Sequence, residues 1–60
     1  MLNSSDLIIG GYYGFIGQNE ILVFVGKYGP WNQFEKSNKV GTVWCEVLDG
    51  DLALLEKREW

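Results

Sequence analysis

Histidine is absent from this 60-residue chain, and cysteine and proline occur once each, as Cys45 and Pro30. Without histidine the commonest general base is gone, so neither a Ser-His nor a Cys-His nucleophile pair can be assembled. A lone thiol forms no intrachain disulfide, and zinc ligation needs clustered Cys and His that the chain lacks. Basic residues are scarce too, with none between Met1 and Gly26. Acids and bases balance up to Trp44. From Cys45 onward Glu46, Asp49, Asp51, Glu56 and Glu59 outweigh Lys57 and Arg58, which leaves the net charge of −3. Nonspecific nucleic-acid affinity rests on neutralising phosphates with Lys and Arg, so nucleic acid is not the expected partner.

Long apolar runs are missing as well. The longest uncharged stretch, Leu7 to Asn19, is interrupted by four glycines and is too short to span a bilayer. The N-terminal segment carries Asp6 where a signal peptide has its basic region. A soluble, cytoplasmic protein with a reduced thiol is expected, with no membrane association, no cofactor and no metal. Lys27, in "VGKYG", lacks the upstream glycine and the following Ser or Thr of a phosphate-binding loop. Gly11, Gly14 and Gly17 have the wrong spacing for a dinucleotide fingerprint, and no helix follows them. Asp49 and Asp51 flank a turn glycine and suit a hairpin better than acid-base work. No catalytic residue is assigned, and an enzyme is not expected.

What the chain does have is aromatic residues, nine of them, and turn residues at regular spacing. A chain of this size buries only about 60% of its unfolded surface, roughly 6,000 Å². The apolar share of that is worth on the order of 90 kcal/mol at ~25 cal/mol per Å². Ordering the chain costs a similar amount, at ~1.5 kcal/mol per residue. With no disulfide or metal to help, an aromatic-rich core or self-association has to make up the difference.

Short apolar or alternating runs between turn signals predict one small all-β domain over residues 1–60, with four to five antiparallel strands. The first run is "DLIIGGYY". The second, Glu20 to Tyr28, is apolar on both faces: Ile21, Val23 and Val25 on one, Leu22 and Phe24 on the other. Either the sheet curls so tightly that both are covered, or one face is buried against another molecule. The third run, Lys39 to Leu48, alternates. Val43, Cys45 and Val47 should face the interior, with Cys45 a buried, inert thiol, while Thr42, Trp44 and Glu46 face out. Asp49-Gly50 suits a type I′ hairpin turn. The expected continuation is a return strand over Leu52 to Leu55 and a short helical turn from Glu56, although the tail is also rich in helix formers. Trp60 either closes the end of the barrel or frays with the terminus.

The stretch "KYGPWNQFEK" reads as a long polar-aromatic connection. The connection either folds over the outer face, with Trp31 or Phe34 covering Trp44, or leaves Tyr28, Trp31, Phe34 and Trp44 as an exposed strip for a protein partner. The expected outcome combines the two, one ring anchoring the loop and another presented to the partner. Tyr and Trp offer large contact area at low entropy cost and dominate binding hot spots.

The order of these features resembles that of an SH3-like barrel. "GYYGFIG", Gly11 to Gly17, is similar to the glycine-spaced opening of KOW-type members, which leads into a long apolar strand, here "ILVFV". "VWCEVLDGDLALLEKREW" is similar to the closing hairpin and helical turn of many small barrels. The resemblance implies a ligand groove among the loop aromatics. It departs from KOW proteins in carrying no basic residue near the glycine turn.

Three functions are open on this reading. The first is a noncatalytic protein-interaction module of the kind found among bacterial and phage accessory proteins, which bind and inhibit or modulate a larger host complex. Its partner-binding residues would be Tyr28, Trp31, Phe34 and Trp44. The second is a KOW-like binder of RNA or of the transcription and translation machinery, using Tyr12, Tyr13, Lys27, Lys36 and Lys39. The third is a homo-oligomeric structural subunit that pairs through the apolar second strand or an open sheet edge.

Overall fold

In the computed structural model, which describes residues 2–59, the all-β expectation holds. Five strands run as β1 (Tyr12–Phe15), β2 (Leu22–Tyr28), β3 (Trp31–Lys36), β4 (Lys39–Leu48) and β5 (Leu55–Arg58). A 3₁₀ turn over Ser4–Asp6 precedes them, and a second, Asp49–Leu54, separates β4 from β5. All pairings are antiparallel, in the order β4-β3-β2-β1-β5. Among the described residues no helix is long and apolar enough to cross a membrane. Trp60 lies outside the described residues.

One core cluster draws on every strand: Tyr13, Leu22, Phe24, Phe34, Val47 and Leu55, closed by Leu52 from the second 3₁₀ turn. A flat sheet cannot bring side chains from all five strands onto one cluster, so the sheet curls around it. Phe34 sits at the centre, edge-on to Tyr13 at 6.1 Å between ring centroids and tilted against Phe24 at 5.4 Å. The phenol of Tyr13 donates to the Asp6 carbonyl and accepts from the Ile8 amide, tying the N-terminal segment to the barrel. The accessible surface of 4016 Å² matches the ~4,000 Å² expected of a monomer of this mass. Exposed apolar side chains therefore reflect which residues face outward, not a loosely packed chain.

Two expectations about how the strands join are overturned. The aromatic connection is a strand. Gly29 takes φ +58, Pro30 is held near −65° by its ring, and together they form a two-residue turn that joins β2 to β3. A type I′ turn needs positive φ at both centres, so this turn is type II′, with glycine at its first central position.

The tail is also reversed. Asp49-Gly50 opens a 3₁₀ turn where a hairpin was expected, Leu52 to Leu54 lie in that turn, and the strand begins at Leu55. The return strand pairs with β1, not β4. Asp49 ties this junction to the sheet: its carboxylate accepts from Lys27 Nζ on β2 and Asn32 Nδ2 on β3, each at 2.8 Å.

Candidate interaction surface

Cross-strand partners in an antiparallel sheet share a face, so the register sorts every side chain. Tyr28 pairs with Trp31, and Trp31 pairs with Leu48. The three form one outward row across β2, β3 and β4 at the turn end of the sheet. Their exposures are 73% for Tyr28, 38% for Trp31 and 39% for Leu48. Trp31 and Leu48 are partly covered, and Tyr28 is largely open to solvent.

The row beside it holds Gly26, Gln33 and Glu46. Gln33 Nε2 donates to Glu46 Oε2 at 2.8 Å. The next row holds Val23, Glu35 and Val43. Glu35 Oε1 accepts from the Gly41 amide at 3.0 Å. Outward ionic groups on these three strands are thus two carboxylates, Glu35 and Glu46.

The lysines lie on the opposite side. Lys27 pairs with the buried Asn32 and bonds Asp49 at 2.8 Å. Lys36 pairs with core residue Leu22 and with Lys39. On this inner side, Asn32 Nδ2 also donates to the Val47 carbonyl at 2.9 Å, which satisfies a side chain only 1% exposed. The Asn32 bond, followed by that from Lys27, holds the Asp49 carboxyl below the ordinary carboxylate range.

Of the four aromatics expected to form a strip, the structure brings together Tyr28 and Trp31 only. Phe34 is 0% exposed at the centre of the core, and in a strand the residue three after an outward Trp31 must point inward. Trp44 is displaced by a bulge. Phe34 pairs with Cys45 and Glu35 with Val43, so Trp44 is an extra residue in β4. Cys45 and Val43 consequently face opposite ways, and the expected inward alternation breaks at this point. Val43 is exposed, whereas Cys45 packs on the core. Burial, and then the charge of Glu20, push the Cys45 thiol above its usual range. Trp44 lies under Lys36, whose Nζ is 4.6 Å from the ring centroid and 2.9 Å from Glu20 Oε2.

Tyr13 is buried and so is withdrawn from any stacking role. Nothing in the sequence groups Leu48, Glu46 and Glu35 with the aromatics, although Glu46 is expected to face out. Extending the outward phase of Thr42 and Glu46 by two residues would have found Leu48.

The fold and this face define a small all-β domain that presents an apolar, carboxylate-flanked sheet surface. No family model, curated protein or solved structure matches the chain.

Proposed function

We propose that the protein is a noncatalytic protein-interaction module that docks a partner on the Tyr28–Trp31–Leu48 row. The observation that carries this reading is the exposure, among the described residues, of ten large apolar side chains against seven buried ones in the core. Scattered exposed leucines are ordinary. Three large apolar residues in direct cross-strand register, two of them aromatic, form a contiguous patch of the kind used for binding. The Gly29-Pro30 turn sets the backbone on both sides of the row, so no backbone ordering is needed when the rings are covered. On this proposal the module is an SH3-like barrel, as the order of features in the sequence suggests. The form of this module we propose is a bacterial or phage accessory protein that acts on a larger complex.

The test is capture of a partner with tagged wild-type protein and with Tyr28→Ala, Trp31→Ala and Trp44→Ala variants of verified fold. Loss of capture with Tyr28→Ala or Trp31→Ala, and retention with Trp44→Ala, supports the docking row. Equal capture by all of them removes it.

A further inference from the structure

We infer that the docking row takes a basic protein segment, with an arginine or lysine side chain lying over Trp31 and reaching the Glu46 carboxylate. This deepens the proposed function and rests on it. Trp31 and Glu46 are diagonal neighbours on the outward face, because Trp31 pairs with Leu48 and Gln33 with Glu46. Gln33 occupies Oε2 of Glu46, and among the described residues no partner contacts Oε1. The face therefore offers an indole and an open carboxylate oxygen side by side. A cation is attracted to the ring face and to the carboxylate at once.

The chain contains a filled version of this arrangement. Lys36 Nζ sits 4.6 Å from the Trp44 ring centroid and 2.9 Å from the Glu20 carboxylate. Indole, cation and carboxylate form a complete set there. On the outward face the indole and the carboxylate are present, and Lys27, Lys36 and Arg58 are engaged elsewhere. Lys27 is held by Asp49, and Arg58, at the β5 side of the sheet, is held by Glu56 and by the Phe15 and Gln18 carbonyls.

Charge also selects the occupant. A second copy docked face to face would bring Glu35 and Glu46 of each molecule against their own kind, in a chain of net charge −3. Nucleic acid and anionic lipid carry the same wrong sign. A cationic polypeptide is the occupant whose charge complements the face.

The experiment uses the whole chain, ¹⁵N-labelled, titrated with acetyl-Arg-Leu-Arg-Leu-Arg-amide and with two counterparts. One counterpart has citrulline for each arginine, which keeps the shape and removes the charge; the other has glutamate. The expected result is movement of the Trp31 indole and the Leu48 and Glu46 amides with the arginine peptide, and none at the Trp44 indole. The citrulline peptide should bind on the order of ten-fold more weakly, and the glutamate peptide not measurably. Glu46→Gln should weaken the arginine peptide several-fold and leave the citrulline peptide unchanged. Raising salt from about 50 to about 300 mM should erode the difference between the two. Equal binding of arginine and citrulline peptides at Trp31 overturns the cationic inference while leaving the apolar docking row intact. Shifts centred on Trp44, or no binding of any peptide, also overturn it, and the capture series then decides the docking row separately.

Discussion

Tyr28 and Trp31 stand directly across the β2–β3 ladder from one another, one on each side of the Gly29-Pro30 turn. That relationship divides the aromatics between surface and core. Once Trp31 faces outward in a regular strand, Asn32 and Phe34 must face inward. One ring of the segment becomes docking surface and the other becomes the centre of the core.

Truncation should separate the two roles sharply. Phe34→Ala removes a ring packed against both Tyr13 and Phe24, a change that costs about 3–5 kcal/mol in a well-packed core. A domain this small has little more than that in reserve, so the variant should be largely unfolded at 25 °C by circular dichroism. Trp31→Ala, with its ring partly in water, should fold and lose only about 1 kcal/mol in urea denaturation. A Trp31→Ala chain that fails to fold would place that ring in the core after all.

How far the sequence alone reaches is clear from these residues. Lys39–Leu48 and most of the second strand were readable, because strand composition and flanking turn residues agree locally. The β2–β3 hairpin was not readable, since Gly29-Pro30 looks like a break unless glycine's positive φ is paired with proline's fixed one. The Trp44 bulge leaves no compositional mark, yet it puts Val43 and Cys45 on opposite faces. The tail was misread because Asp49-Gly50 suits both a hairpin turn and the start of a 3₁₀ turn. The deciding partners, Lys27 and Asn32, lie 22 and 17 residues away. Local pattern carries strands well. Contacts between distant residues decide how they join.

The two turn glycines give a direct check of that correction. Gly29 has φ +58 and nothing within 4 Å of where a Cβ would stand, so Gly29→Ala meets backbone strain alone, about 1–2 kcal/mol. Gly50 has no positive φ and equally open space. Gly50→Ala should therefore be neutral, or stabilising by up to about 1 kcal/mol through the unfolded state. A type I′ turn at Asp49-Gly50 would reverse the result at position 50. Urea midpoints of the two variants decide between these outcomes.

Acid should loosen the junction between β4 and the second 3₁₀ turn. Asp49 is held below the ordinary carboxylate range by the bond from Asn32 and then by Lys27. Its unfolded value lies near 3.9. With the folded value depressed, the unfolded chain binds the proton more readily. The stabilisation is therefore fully present above about pH 5 and fades as pH falls through the folded value. Melting temperature should drop more steeply between about pH 5 and 3 in the wild type than in Asp49→Asn. Parallel curves would mean that the Asp49 carboxylate does not hold the junction.

Cys45 behaves in the opposite sense. Its thiol is pushed up by burial and secondarily by the nearby Glu20 charge, so the folded chain keeps this proton at a pH where the unfolded chain releases it. The stabilisation is present below the unfolded thiol value, near 8.5, and is lost as pH rises through the folded value. Because the thiolate is the nucleophile, iodoacetamide at about pH 8 should modify the folded protein at least ten-fold more slowly than the urea-unfolded chain. Glu20→Gln should speed the folded reaction modestly, by removing the secondary cause and leaving burial in place. Labelling at the unfolded rate under native conditions would show that Cys45 is not packed against Phe34, and the register of β3 on β4 would have to be redrawn.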